Sequence, residues 1–197
     1  KKGLKAAVFL LVFLLASAAI CTGVRADSRY YDITGYTVHV VINPDGSADV
    51  EESITYDFTG EFNGVLRDID YERTDGIANL RVFVEEDGIN VREFTVNSTT
   101  DYDAAGDPGT YNIYHDDEIA HLKVFEKSRN TRKTFVYKYT LENVVTRFND
   151  IAEFNRRIID ANWDVPLNDI RILIRLPEGA SEDEIMVFGH GPLTGES

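Results

Sequence analysis

Cysteine is almost absent: the 197-residue chain has one, Cys21. A single thiol cannot close an internal disulfide or build a Cys-based zinc or iron–sulfur centre. Basic residues are also scarce, with 20 Lys and Arg against 34 Asp and Glu, a formal charge of −14. That balance argues against a nucleic-acid binder, because neutralising phosphates takes dense Lys and Arg. Catalytic patterns are missing too: there is no G-x-S-x-G elbow, no P-loop, and no G-x-G-x-x-G after a strand. The four histidines, His39, His115, His121 and His190, fall in no zinc-ligand spacing. The sequence therefore reads as a non-enzyme, with no catalytic residue, cofactor or metal expected.

What is present starts with an address. Lys1, Lys2 and Lys5 make a positive head, and residues 6–20 carry neither charge nor amide. Val24-Arg25-Ala26 then places small residues where a signal peptidase reads them, with the cut before Asp27. This pattern predicts a secretory signal peptide over 1–26 and an exported domain over 27–197. Two other readings stay open. Residues 6–24 are nineteen uncharged positions, close to the roughly 20 of a membrane span, which would make an uncleaved anchor. Cys21 suggests a lipoprotein cysteine, although it follows bulky Ile20 where such signals want a small residue. Without residues 1–26 the balance is 16 basic against 34 acidic, a charge of −18, and no cysteine remains. Such a domain must rest on core packing, and one of about 170 residues buries roughly 70% of its unfolded surface.

The rest of the chain alternates with a period of two and is rich in β-branched and aromatic residues. Tyr36, Val38, Val40 and Ile42 make one inward row, and Val50, Ile54, Tyr56 and Phe58 a second. Asn43-Pro44-Asp45-Gly46 turns the chain between them, so 36–58 is predicted to be a hairpin. Glu52 breaks the inward row. Residues 59–74 look irregular around Gly60 and Gly64, with Phe62, Leu66 and Ile69 as anchors. Further hairpins are expected from 77–85 with 89–97 and from 111–115 with 119–126, and a strand over 133–141. Ile151, Phe154, Ile158 and Ile159 recur at helical spacing behind the caps Asn149 and Asp150, predicting one short helix over 151–160. Ile170, Ile172, Ile174 and Leu176 read as a strand apolar enough to be central in a sheet, and 185–188 as a last short strand. Eight or nine strands with turns between them predict an all-β fold. The expected form is a two-layer β-sandwich, immunoglobulin-like or jelly-roll-like, that stops short of its end just after Gly191-Pro192.

A few segments could carry chemistry. Asp101, Asp103 and Gly106 match a calcium loop, but Ala105 and Asn112 replace two of its ligands, so the Asp101–Asp107 loop reads more plainly as a solvated acidic turn. Lys123, Lys127, Arg129, Arg132, Lys133 and Lys138 lie within sixteen residues. A hairpin tip near Arg129-Asn130-Thr131 would gather them against anionic headgroups or a wall polymer, though Lys and Arg also guard exposed strand edges. Trp163 is expected to pack the helix onto the sandwich. Together with exposed Tyr30, Tyr31, Tyr111 and Tyr114 it keeps a sugar-stacking role open. Two carboxylates about 5 to 9 Å apart in an aromatic cleft would turn that into a glycan hydrolase.

Three blocks carry a resemblance: NPDGSADVEESITYDFTGEFNGVLRDI at 43–69, FNDIAEFNRRIIDANWDVPLNDIRILIRLPEG at 148–179, and GHGPLTG at 189–195. Their order resembles the N-terminal domain of a bacterial family of predicted membrane proteins, domain of unknown function family 2207. The resemblance implies a signal sequence, an extracytoplasmic β domain and transmembrane helices further downstream, none of which follows Pro192 in this sequence. It implies no catalytic residues and no activity. The expected reading is a non-enzymatic domain at the extracytoplasmic face of the membrane, binding a protein or a cell-wall polymer. A carbohydrate-binding module or glycan hydrolase is the second reading.

Overall fold

The alternating rows of 36–58 do form a hairpin, and both of its strands run well beyond it. A computed structural model describes residues 29–86, 90–99, 101–116, 118–160, 163–180 and 182–188. The signal segment with Cys21, as well as His190 and the Gly191-Pro192 turn, lie outside the described residues. Strand β1 (Tyr30–Ile42) pairs antiparallel with β2 (Ala48–Asp70), a strand of 23 residues. Then follow β3 (Gly76–Glu86), β4 (Asn90–Glu93), β5 (Thr95–Val96), β6 (Thr110–His115) and the 24-residue β7 (Ile119–Glu142). The last are β8 (Val145–Arg147), β9 (Ala152–Phe154) and β10 (Ile170–Arg175). All but β8 and β9 join one mixed sheet in the order β10-β1-β2-β7-β3-β4, with β6 on the other part of β7 and β5 beside β6. The described chain is nearly all β, as expected.

Two long strands organise everything. β2 and β7 pair antiparallel from Ala48↔Leu141 to Asp70↔Ile119, with irregularities between Phe58 and Gly64. At that point the inward face changes parity. Before it β2 buries Val50, Glu52, Ile54, Tyr56 and Phe58, all even; after it Val65, Arg67 and Ile69, all odd. β7 does the same in reverse, burying Leu122, Val124, Glu126 and Ser128 and then Lys133, Phe135, Tyr137, Tyr139 and Leu141. An extra residue in a strand is a bulge, and it is what keeps one face inward through a bend. Gly60 and Asn130 meet here: Asn130 takes a φ of 46° and its side-chain oxygen accepts the Gly60 N–H at 2.8 Å. Gly64 is obligatory for another reason, since a Cβ there would sit 1.9 Å from the Val124 carbonyl oxygen. The bend lets the second half of β2 return over the first. The core holds Ile33, Tyr36, Ile54, Leu122, Phe135 and Tyr137, each fully buried. A side chain of that kind contributes about 1.5–3 kcal/mol by leaving water.

Several expectations need correcting. Residues 59–70 are not irregular but continue β2, their glycines serving the bend. Arg129-Asn130-Thr131 is not a hairpin tip but the bent middle of β7. No helix forms at 151–160: Ala152–Phe154 pairs with Val145–Arg147 instead, closed by the Phe148 N–H on the Ile151 carbonyl. A ten-residue helix is too short to hold itself in water, since isolated helices need about 12–15 residues even when Ala-rich. The sheet captures Phe154, Ile158 and Ile159 one at a time without it. The 170–175 strand is not central. It pairs parallel with β1 and forms the end of the described sheet order, with Ile172, Leu173 and Ile174 exposed. Residues 185–188 form no strand; a single 3-10 turn at Glu182–Glu184 precedes them.

Candidate functional site

Alternation sends Glu52 inward on the first half of β2 and Arg67 inward on the second, and the fold-back brings them together. Arg67 donates from Nη2 to Glu52 Oε2 at 2.7 Å and from Nε to the same oxygen at 3.0 Å. Tyr36 of β1 donates to Glu52 Oε2 at 2.8 Å, and Tyr139 of β7 to Glu52 Oε1 at 2.5 Å. Arg67 Nη1 donates to Asp160 Oδ2 at 2.6 Å and also to the Asp68 carbonyl. Trp163 closes the group, its ring 5.4 Å from the Arg67 guanidinium and 5.4 Å from the Tyr36 ring. Glu52 and Arg67 are 2% and 5% exposed, which only a closed set of partners can support. Burial opposes the charge of Arg67, but Glu52 and then Tyr36 and Asp160 outweigh it and hold the guanidinium charged. Burial, with Glu52 beside them, pushes the Tyr36 and Tyr139 hydroxyls far up, so both stay protonated donors. Burial also raises the Asp160 carboxyl, and Arg67 offsets only part of this.

This cluster has carboxylates and aromatic walls, yet little room. The cavity beside it, lined by Glu52, Arg67, Tyr139, Phe154, Ile158 and Asp160 among others, holds about 20 Å³. That suits one water, which takes roughly 10–15 Å³ by the same measure, and no sugar ring. The cluster is built to join two halves of a sheet.

A larger space opens next to it and shares Asp70, Arg156 and Arg157 with the small one. Its volume is about 220 Å³ and its walls are polar: Asp70 at the end of β2, Glu72 and Arg73 from the turn after it, and Asn155, Arg156 and Arg157 from the segment after β9. The turn is well held. Asp70 Oδ1 accepts the Glu72 N–H at 2.8 Å, Thr74 Oγ1 donates to the Tyr71 carbonyl at 2.7 Å, and Arg73 takes a φ of 61°. Arg156 pins the other wall to it. Its side chain is 10% exposed, Nη1 donates to the Glu72 carbonyl at 3.0 Å, and Nη2 lies 3.8 Å from Asp70 Oδ1.

The residues singled out from sequence end up elsewhere. The Asp101–Asp107 loop is tied by Asn112, whose amide donates to the carbonyls of Tyr102 and Ala104 at 3.0 and 2.9 Å. Asn112, which fails as a calcium ligand, is thus the loop's anchor. Among the described residues no group of three His, Asp or Glu is placed to hold a metal. Five of the six residues of the basic run meet carboxylates. Arg129 pairs with Glu61, Arg132 with Asp57, Lys138 with Glu51, and Lys123 reaches Asp103, while Lys133 is buried on Glu126 at 2.5 Å. Arg92 meets the same Glu126 at 2.6 Å. Tyr111 is buried and Tyr31 packs against Tyr56, Phe58 and Phe62; only Tyr30 and Tyr114 stand half-exposed. Trp163 packs on Tyr36 and Arg67 with no helix beneath it. His39 and His115 lie exposed on their strands. His121 lies between Asp68 at 2.8 Å and Asp116 at 3.1 Å, beside Tyr102 and Tyr114.

Sequence reasoning missed Arg73, Arg156 and Arg157, because Arg73 is distant in the chain from the other two and no motif links them. A family model for the N-terminal domain of predicted membrane proteins, DUF2207, matches residues 32–197. The chain belongs to DUF2207. The match takes in both halves of the bent sheet, the buried cluster and the polar cleft. No curated protein matches the chain. Among the described residues no helix is long and apolar enough to cross a membrane.

Proposed function

We propose that this DUF2207 domain is a non-enzymatic binding domain, carried at the extracytoplasmic face of the membrane by a membrane-anchored protein. The observation that carries the binding reading is the 220 Å³ polar cleft at Asp70, Arg73, Arg156 and Arg157, the roomier of the two spaces described. The strongest ionisable cluster, at Glu52 and Arg67, is closed and serves the fold. The doubling back of the sheet, with Arg67 reaching Glu52, supports a two-layer, sandwich-like body. The outward location rests on the signal-like residues 1–26 and on the family of predicted membrane proteins.

The location has a direct test. Protease added to intact cells expressing the full-length protein should remove an epitope placed in the exposed Asp101–Asp107 loop. An epitope that becomes accessible only after lysis would overturn it. A carbohydrate-binding module is the second reading, favoured by Tyr114, Tyr102 and His121, which group within 6.5 Å by ring centroids on the surface next to Asp68 and Asp116. Loss of glycan binding in Tyr114→Ala would support that reading.

A further inference from the structure

We propose that the cleft between the turn after β2 and residues 155–157 binds a glycerol phosphate group, with Arg73, Arg156 and Arg157 taking the phosphate. This rests on reading the chain as a binding domain and names the ligand class for its cleft. The lining has three guanidiniums against two carboxylates, a local excess of positive charge in a chain whose formal charge is −14. Most other cations of the sheet are committed across strands, as Arg132 is to Asp57 and Lys138 to Glu51. Here they are not. Arg157 has no carboxylate within ion-pair distance among the described residues, and Arg73 lies 3.7 Å from Glu72 with both side chains more than half exposed. An exposed pair of that kind holds its partner weakly. Arg156 is the opposite case, nearly buried and fixed by Glu72 and Asp70. The cleft thus has one nearly buried guanidinium that joins its two walls and two exposed ones, of which Arg73 is only weakly paired with Glu72.

Arginine suits phosphate because its planar fork presents paired N–H donors to two oxygens at once. Asp70, Glu72 and the Asn155 amide add groups that accept from or donate to hydroxyls. Asp70 Oδ1 already holds the Glu72 N–H and Arg156, but its second oxygen and the exposed Glu72 carboxylate leave acceptors for the hydroxyls of a polyol joined to the phosphate. The volume of about 220 Å³ lies below the roughly 300–1,000 Å³ of sites for drug-sized ligands, and fits a headgroup-sized molecule.

Such a group can come free, from a polymer, or from a lipid headgroup, and the test separates these. The full chain is titrated with glycerol 3-phosphate and with glycerol, followed by calorimetry, and is sedimented with phosphatidylglycerol or phosphatidylcholine vesicles. The expected result is saturable binding of glycerol 3-phosphate or of phosphatidylglycerol vesicles, with glycerol and phosphatidylcholine inert. Arg73→Gln with Arg157→Gln, both at exposed positions, should weaken it about ten-fold or more while leaving the melting temperature unchanged. A preference for vesicles assigns a lipid headgroup; binding of the soluble probe alone assigns a free or polymer-borne group. No saturable binding of either, or equal binding by the double variant, overturns the proposal. A domain reached by protease on intact cells that binds neither probe ends this proposal alone and leaves the outward location standing.

Discussion

At the scale of single residues, Glu52 shows how a break in a pattern carries information. A carboxylate in an inward row needs a cation, and the next inward row of the same strand offers Arg67 between Val65 and Ile69. Glu52 was legible in the sequence as a break in an inward row; Arg67 was not, because Leu66 beside it read as the inward anchor and is 65% exposed instead. Their meeting was not legible either, because nothing local tells that β2 doubles back. Removing one member of a buried pair leaves the other charged and dry, at a cost of about 3–5 kcal/mol. Arg67→Ala should therefore lower the stability measured by urea unfolding by that order, and Glu52→Leu with Arg67→Met should recover part of it. A loss under about 1 kcal/mol for Arg67→Ala would mean the cluster is not what holds the halves together. His121 makes a second residue-scale case. Partial burial works against its charge, but the hydrogen bonds and charges of Asp116 and Asp68 outweigh it and raise its pKa, with Lys123 and Tyr102 nearby. The stabilisation this gives is complete below the unfolded histidine value of about 6.5 and is lost as pH rises through the higher folded value. An NMR titration should place His121 above an unperturbed histidine, and Asp116→Asn should bring it down; an unmoved midpoint in that variant would refute the account.

At the scale of elements, the turns and alternating rows were read correctly wherever the chain behaves locally, as at 36–58 and 111–126. The readings failed where a strand's fate depends on what lies across from it. Gly60 and Gly64 look like loop residues until β7 is laid beside them, and the helical spacing at 151–160 yields to a sheet that takes Phe154 and Ile158 separately. Asn130 carries the bend at positive φ, a conformation that β-branched residues enter only at a cost of about 1–2 kcal/mol. Asn130→Val should cost that and more through loss of the bond to Gly60, while Asn130→Gly should keep the bend; thermal melts of the two variants make the comparison. The apolar row of β10 gave no hint that it would lie open. Ile172 is 46% exposed where Ile54 is fully buried. Ile54→Ala should then cost about 2–5 kcal/mol and Ile172→Ala far less, as read from denaturation midpoints. The polar cleft was the least legible feature, since its two walls lie some 80 residues apart and each is an ordinary surface segment alone.

At the scale of the whole molecule, distant parts of the chain make the sheet. Ala48 pairs with Leu141 and Tyr36 with Ile170. Long loops must close before such pairs give anything back, so folding should take milliseconds to seconds, in the range of β proteins rich in distant contacts. Stopped-flow refolding on a microsecond scale would contradict this topology.

The change of parity at the bend has a consequence for how such a chain can vary. Insertions in the Asp101–Asp107 loop only lengthen a surface turn. A single residue added to or removed from 59–63 would act as a frameshift does in a reading frame. Everything in β2 after that point would turn over, setting Leu66 and Asp68 inward and sending Arg67 to solvent. Only an opposite change within the same stretch of β2 could restore the face. The length of 59–63 should therefore stay constant among relatives of this chain.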